Sequence, residues 1–368
     1  MIRKKTAFFW NEKCFWHGAG NFAFLVPVGE FVEPSNVSRL PETPESKRRL
    51  KNLIEVSGLS NDLDLIHSNT RVSYQDLLRV HTREYIDRFS SLSEKEGGEL
   101  GLRAPFGPGG FDIACISASL VKDALFSVLD GKHTNAYALS RPPGHHCLAD
   151  FPNGFCLLNN IAISVESAIH TQKIERVAIV DWDVHHGNGT EKIFYNRPDV
   201  LTISIHQERN YPIDSGQINS LGGPGAHLSN LNIPLYPGGG HAVYVCAFDE
   251  IIIPKLRRFK PDIVIVACGF DASGVDPLSR MLCGSHTFSA MTQRLIEYTD
   301  GRLVFAHEGG YSDVHVPFCG HAVLQMLSGS SVAIEDPLTK RIEAQQPDPI
   351  FDNLQFKRIK EIVGLHNL

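Results

Sequence analysis

The chain lacks the features that would place it in several large functional classes. No run within its 368 residues reaches the roughly 18 apolar side chains that a membrane-spanning helix needs. The apolar stretch Ala7 to Trp10, behind the basic start Met1-Ile2-Arg3-Lys4-Lys5, stops at Asn11-Glu12-Lys13 and is too short for a secretory signal core. No membrane association is expected. A cytoplasmic location is, with delivery to a host cell or nucleus left open. There is no C-x-x-C pair among Cys14, Cys115, Cys147, Cys156, Cys246, Cys268, Cys283 and Cys319. Several sit in apolar runs, so they read as buried free thiols of a reducing compartment, not as a disulfide frame or zinc knuckle. Cys147 and Cys156, which flank one loop, are the only pair worth testing for redox linkage. An excess of one charge sign is missing too. With 35 basic against 41 acidic residues and a net charge of -6, nothing pulls the chain toward nucleic acid or an anionic membrane. Repeats and low-complexity tracts are absent. The one basic cluster, Lys47-Arg48-Arg49-Leu50-Lys51, reads as the solvated face of a helix beginning after Pro44-Glu45-Ser46, in preference to an import or anion-binding patch.

What is present is a globular composition, 42% hydrophobic, with 17 histidines. From residue 135 the chain repeats one theme: a short apolar or β-branched run, polar residues, then a helical pattern. The runs are Ala136 to Leu139, Val177 to Val180, Val200 to Ile205, Ile263 to Ala267 and Leu303 to Ala306, with helix-like stretches at 157–170, 241–259, 286–299 and 315–327. Alternating units of this kind predict a single α/β domain, with a central, mostly parallel sheet covered by helices on both faces. Such sheets bind ligands beyond the carboxyl ends of their strands. Residues 17–43 and the Gly- and Pro-rich 97–110 read as long irregular segments, which in a compact domain are usually functional or interface-forming.

Chemistry-bearing residues recur just past each run. They are Arg141-Pro142-Pro143-Gly144-His145-His146, Asp181-Trp182-Asp183-Val184-His185-His186-Gly187-Asn188-Gly189, Ser204-Ile205-His206, Gly269-Phe270-Asp271-Ala272-Ser273 and His307-Glu308-Gly309-Gly310-Tyr311. A parallel sheet gathers all five on one rim. Asp181, Asp183 and His185 alternate, so an extended strand end points them to one side. Asp183, His185 and Asp271 would give one nitrogen and two carboxylates, the donor set of a catalytic zinc site with an open position. A lone D-x-D or H-H is more often a turn or helix cap; five such clusters at successive strand ends point to metal chemistry.

The segments R-P-P-G-H-H, G-F-C-x-x-N-N, D-W-D-V-H-H-G-N-G-T, G-F-D-A-x-x-x-D-P and E-G-G-Y, in that order, resemble the histone deacetylase branch of the arginase/deacetylase fold. The likeness is closest to class II enzymes and bacterial histone deacetylase-like amidohydrolases, and it extends from about residue 70 to 330. It implies an eight-stranded sheet and one deacetylase domain. Residues 1–45 would form an N-terminal strand and a long entrance or interface loop, 46–330 the catalytic core and 331–368 a C-terminal helical extension.

The resemblance also implies roles. Asp183, His185 and Asp271 match the zinc ligands, His145 and His146 the tandem histidines, and Tyr311 the catalytic tyrosine. Asp181 matches the carboxylate behind the first histidine; Asn188 stands where class I enzymes carry an aspartate behind the second. Asp181, Asp183, His185, Ser204 and Ile205 match a structural potassium site, and a second would fall around Phe194, Arg197 and Val200. Phe155 and Tyr211 match the aromatics lining an acyl-lysine tunnel, with Gly154, Leu278 and Gly309 as further substrate contacts. His17 and Phe22 to Val28 would cover its mouth or make a subunit contact. The family's rim aspartate has no certain counterpart, Glu99 being a candidate. His186, His206 and His307 would be supporting groups.

The expectation is a zinc-dependent hydrolase removing acetyl or related short acyl groups from lysine side chains of proteins or peptides, with one zinc, one or two potassium ions, and a homo-oligomeric state possible. Three alternatives stand beside it. An acetylpolyamine amidohydrolase is disfavoured by apolar Leu278. An arginase-like ureohydrolase is disfavoured by Ser273, where a second metal would need a carboxylate. A non-catalytic acyl-lysine binding module is disfavoured by the intact histidines and Tyr311.

Overall fold

The computed structural model describes residues 6–23, 25–29, 31–34 and 40–368. The basic start Met1 to Lys5, and positions 24, 30 and 35–39 of the segment expected to be irregular, lie outside the described residues. Eight strands form one sheet: β1 (Thr6–Trp10), β2 (Leu63–His67), β3 (Ala136–Ala138), β4 (Val177–Asp181), β5 (Val200–Gln207), β6 (Asn230–Leu235), β7 (Ile263–Cys268) and β8 (Leu303–His307). Their order is β6-β5-β4-β7-β8-β3-β1-β2, and every neighbouring pair is parallel, so the expected mostly parallel sheet is parallel throughout.

The five runs read from sequence are β3, β4, β5, β7 and β8, which occupy five consecutive places in this order. Interior strands are buried on both faces and therefore read as unbroken apolar runs. Ala178 and Val180 enter one core layer with Trp182 and Phe305, while Val177 and Ile179 enter the opposite layer with Ile163 and Val165. The expected N-terminal strand is β1, and missing from the sequence reading are β2 and β6, the two edge strands of the sheet. The β2 sequence LDLIH mixes polar residues into the run, and β6 carries Asn230 and Asn232 on a buried strand, where both donate to Glu191.

Local chemistry moves several boundaries. The helix expected from 157 begins at Asn160, because the Asn159 side chain accepts from Ala162 N and caps it. The 241–259 stretch is three segments: helix His241–Ala247, a wider π turn Phe248–Ile252, and helix Ile253–Phe259. Pro254 has no N–H to donate, so the regular ladder cannot pass it. A short helix, Glu12–Phe15, follows β1, and the segments expected to be irregular contain an antiparallel pair Phe22–Ala23 with Val26–Pro27 and another, Gly98–Glu99 with Pro105–Phe106. Beyond 330 the chain forms helices Thr339–Ala344 and Pro349–His366, the latter anchored where Gln355 Oε1 accepts from Tyr236 N at 3.0 Å.

The basic cluster at Lys47 corrects the sequence reading. Helix Glu45–Val56 presents Arg49 to solvent but not Lys47, which is fully buried with its Nζ 3.3 Å from Glu42 Oε1, and Lys51 Nζ lies 4.2 Å from the Trp10 ring centre. Glu42 also accepts from Arg141 Nε at 2.9 Å, and Arg141 Nη1 donates to the carbonyls of Cys14, Phe15 and His17. Two cations and one carboxylate thus join the N-terminal segment to the loop after β3. The 3.6-residue period predicts which side of a helix faces inward, but not that a distant Glu42 will be buried beside it.

Burial alone would lift the Glu42 carboxyl; Arg141 and Lys47 override it and hold it at about 2, against an ordinary 4.5. Because the folded value is depressed, the stabilisation is complete above pH 4.5 and is lost as pH falls from there toward 2. Glu42→Gln leaves two buried cations uncompensated and should lower stability by about 3–5 kcal/mol. Urea unfolding of both proteins between neutral and acidic pH should show the deficit shrinking as pH falls through that window.

Candidate active site

The carboxyl ends of β4, β7 and β8 place the central cluster, and backbone hydrogen bonds fix it. Asp181 Oδ1 accepts from Asp183 N (3.0 Å), Asp183 Oδ1 from His185 N (2.9 Å), Asp271 Oδ1 from Val184 N (2.8 Å) and Asp183 Oδ2 from Gly309 N (2.8 Å). The His185 Nδ1 atom lies 3.1 Å from Asp183 Oδ1 and 3.0 Å from Asp271 Oδ2, all three residues being buried. Backbone crowds in behind. A Cβ on Gly309 would lie 2.3 Å from Asp271 Oδ2, and one on Gly269 2.2 Å from Asp183 Oδ2. Gly309 therefore packs against the carboxylates and does not line the substrate cavity; the left-handed bend before Tyr311 is at Gly310, φ +116°.

This donor set fits a divalent cation. Two carboxylates and an imidazole cannot all keep their ordinary charge at such separations. Burial and then Asp183 lift the Asp271 carboxyl to about 6, whereas Asp183, despite burial, is held well below the carboxylate range by His145 and His185. One nitrogen and two oxygens directed at one point match a site that binds zinc with an open position. A second trio, His145, Cys156 and Glu308, also brings its donor atoms within 4.8 Å of one another. Burial pushes the Cys156 thiol well up, so it stays protonated and is a poor ligand.

The tandem histidines are driven apart in charge. His145 Nδ1 is 2.9 Å from Asp181 Oδ2 and His146 Nδ1 is 2.8 Å from Asn188 Oδ1. Burial opposes protonation of both. At His145 it is outweighed by Asp183 and Asp181, which raise the pKa well above normal; at His146 it is reinforced by His145 and His185, which lower it well below. The main cause at His146 is thus burial, with the contact to neutral Asn188 a small opposing influence.

A cavity of about 340 Å³ leads to this cluster, within the usual range for ligand pockets. It is lined by Phe155, Tyr211, Gly154, Leu278, His146, His185 and Tyr311, together with Leu40, Pro41, Arg103 and Asn210. The Phe155 and Tyr311 rings are 5.7 Å apart, and Tyr211 is edge-on to His146 at 5.1 Å. The Tyr211 hydroxyl donates to Asn153. Tyr311 N donates to Asp276 Oδ2 at 2.8 Å, fixing the tyrosine loop to the Asp271 loop.

Other expected positions fall as follows. Asp181 and Ser204 are register partners on β4 and β5, so the residues expected at the first potassium site are neighbours. At the second, Arg197 N donates to Phe194 O, while its guanidinium is paired with Asp199 and Glu166. His186 meets Ser215 and Glu191, His206 meets Ser204, and His307 Nδ1 is 2.6 Å from the Tyr137 hydroxyl. All eight cysteines are free, and Cys246 alone is only partly buried. Glu99 does not reach the cavity; its carboxylate accepts from Ala104 N at 3.0 Å inside its own hairpin. His17 is buried beside Arg141, whereas Leu25 and Val26 are exposed.

Sequence reasoning missed four supports. Asp276 and Glu308 lie inside quoted motifs without a role, yet Glu308 Oε2 accepts from Gly144 N and His145 N. The His315 ring bridges Ser273 Oγ (2.5 Å) and Asp336 Oδ2 (2.8 Å), linking the Asp271 loop to the segment beyond residue 330. Ser273 Oγ is therefore held against the His315 ring. Arg103, in the Gly- and Pro-rich loop, is the fourth. Only the Asp276 and Glu308 signals, polar residues within a motif at a strand end, could have been found in advance.

Comparison with known proteins defines the class. Residues 40–327 match the histone deacetylase domain model, and the chain belongs to that family. It is 49% identical over its whole length to a histone deacetylase-like amidohydrolase of Pseudomonas aeruginosa, covering 97% of that protein. It is 36% identical to a probable deacetylase of Archaeoglobus fulgidus, over 81% of this chain and 85% of that one. The crystal structure of the HDA15 HD domain superposes with a TM-score of 0.83 at 28% identity, covering 98% of this chain and 96% of that one. The fold is thus the arginase/deacetylase fold, and the chain is a deacetylase-family hydrolase.

Gly154 combines φ +51° with a close approach: a Cβ there would lie 2.4 Å from His146 Cδ2 and 2.9 Å from Tyr211 Cε1. Gly154→Ala should narrow the cavity and displace the His146 ring, at an overpacking cost of about 1–3 kcal/mol. A melting temperature lowered relative to the parent protein, read by thermal unfolding, is the expected result.

Proposed function

We propose that the protein is a zinc-dependent amidohydrolase that removes acetyl or related short acyl groups from lysine side chains in proteins or peptides. What supports this reading most is one juxtaposition: the Asp183–His185–Asp271 cluster, a tandem histidine pair of split charge and Tyr311, all at the end of one cavity.

Asp183, His185 and Asp271 would hold the zinc ion, which when bound supplies a Lewis acid that polarises the amide carbonyl and lowers the pKa of water. His146, kept neutral by burial and two neighbouring imidazoles, accepts a proton from the attacking water and later delivers it to the leaving amine. His145, charged beside Asp181 and Asp183, adds positive potential and stays protonated throughout. Asp181 and Asn188 orient the two rings through Nδ1. The Tyr311 hydroxyl donates to the developing oxyanion. Its ring position is set by the Asp276 contact and by Phe155. Phe155, Tyr211 and Gly154 enclose the methylene chain. Asp181, Asp183, His185, Ser204 and Ile205 would hold one structural potassium ion, and Phe194, Arg197 and Val200 a second.

Acyl-lysine is favoured over acetylpolyamine because Leu278 offers no carboxylate to a second ammonium group. Turnover is favoured over a binding module because His146 and Tyr311 line the cavity, with the His145 ring 4.0 Å from that of His146. The ureohydrolase alternative lacks its second-metal carboxylate at Ser273. We also infer a cytoplasmic, homo-oligomeric enzyme.

Purified protein should release acetate from an acetyl-lysine peptide, lose this on chelation and regain it with zinc. It should prefer that peptide to N-acetylspermidine in kcat/KM. Tyr311→Phe should reduce kcat by about 10²–10³ with little change in KM. Near-normal turnover by that variant, or a large polyamine preference, would overturn the assignment.

A further inference from the structure

Among the described residues lining the cavity, the deep groups are His146, His185 and Tyr311, and the only permanent charge is Arg103. Its position is built, not incidental. Leu102 N donates to Pro152 O (3.1 Å), Gly154 N to Leu102 O (3.0 Å) and Phe155 N to Arg103 O (2.8 Å). The loop carrying Arg103 is therefore bonded residue by residue to the loop carrying the wall residues Gly154 and Phe155. Arg103 itself has φ +56°, a conformation that costs energy in an L-residue carrying a Cβ and is held here by those bonds. Gly101 permits the approach, since a Cβ there would lie 1.9 Å from Pro152 O.

The Arg103 side chain leans on the opposite wall, its Cζ 5.6 Å from the Tyr211 ring centre. The residue is exposed and forms no ion pair with any described carboxylate. The acid nearest in its own hairpin, Glu99, is turned to Ala104 N. The remaining lining residues outside the floor, Leu40, Pro41, Asn210, Tyr211 and Leu278, carry no formal charge. A guanidinium that lines the cavity, is exposed and has no carboxylate partner among the described residues keeps its fork of donors available to the parts of a seated acyl-lysine substrate beside the acylated residue.

We propose that Arg103 is a specificity-determining residue that selects acyl-lysine substrates bearing a carboxylate beside the acylated residue and rejects those with cationic flanks. This deepens the function proposed above and rests on it. The carboxylate can come from an acidic side chain in the flanking sequence or from the chain end of a C-terminal acyl-lysine. A lysine-rich basic tail would bring like charges to the mouth, and such repulsion lowers productive encounter.

Four peptides, each with one acetyl-lysine, test this: flanks of Asp and Glu, of Lys and Arg, or of Gly and Ser, all amidated, and a Gly/Ser peptide ending in acetyl-lysine with a free carboxylate. The zinc-loaded protein should favour acidic over basic flanks by about tenfold in kcat/KM at low salt, mostly through KM, since a rim charge acts on encounter and is screened by salt. The ratio should fall toward unity at high salt. It should shrink to within about twofold in Arg103→Gln and invert in Arg103→Glu, as expected when a rim charge is removed or reversed. Enhancement of the free-carboxylate peptide assigns the chain end as a source, and enhancement of the acidic-flank peptide assigns the side chains. Equal kcat/KM for all four, or an acidic preference that survives Arg103→Gln, overturns the proposal. Calorimetric binding of the same peptides to Tyr311→Phe and Tyr311→Phe/Arg103→Gln separates the two readings. If no peptide is turned over, the hydrolase reading fails, while an Arg103-dependent affinity difference still upholds the selectivity.

Discussion

Two carboxylates and an imidazole, buried within hydrogen-bonding distance of one another, impose the constraint on which the site depends. An ionised group taken out of water without a partner is costly. Asp183 and Asp271 meet that cost with backbone N–H groups of Gly309 and Val184 and with His185. These donors come from three different loops, so the cluster exists only if β4, β7 and β8 are adjacent and aligned. The glycines follow from the same constraint. Gly269 and Gly309 have no room for a Cβ because carboxylate oxygens occupy that space.

A second layer transmits order outward. Asp181 joins His145 to β4, Glu308 anchors the backbone of Gly144 and His145, and Asp276 ties Tyr311 to the Asp271 loop. Each is a carboxylate accepting from a neighbouring loop. Rigidity of this kind is what catalysis by preorganised dipoles requires. The buried Glu42–Arg141–Lys47 group extends it to the N-terminal segment, and His315 extends it to the segment carrying Asp336. The cavity mouth is built differently, from two loops bonded to each other and carrying a single unpaired cation among the described residues.

Much of this was readable along the chain for a definite reason. Strands buried on both faces leave apolar runs, and motif residues sit immediately after them, so β4, β7 and β8 could be placed together with Asp183, His185, Asp271 and Tyr311. The edge strands β2 and β6 left weaker runs, the latter because Asn230 and Asn232 are satisfied by Glu191, a partner about forty positions away. The reading of Lys47 as solvated failed similarly: helical spacing does not reveal that Glu42 shares its burial.

By itself the sequence determined the parallel α/β architecture and the identity of the central donors, because hydrophobic periodicity and motif spacing are local properties. Only the tertiary structure decided that Gly309 faces the carboxylates and not the cavity, that Glu99 stays within its hairpin, and that Arg103 stands at the mouth against Tyr211. Those outcomes depend on which loops touch. Loop contact is set by backbone hydrogen bonds between segments distant in the chain, such as Phe155 N to Arg103 O, and these leave no periodic trace.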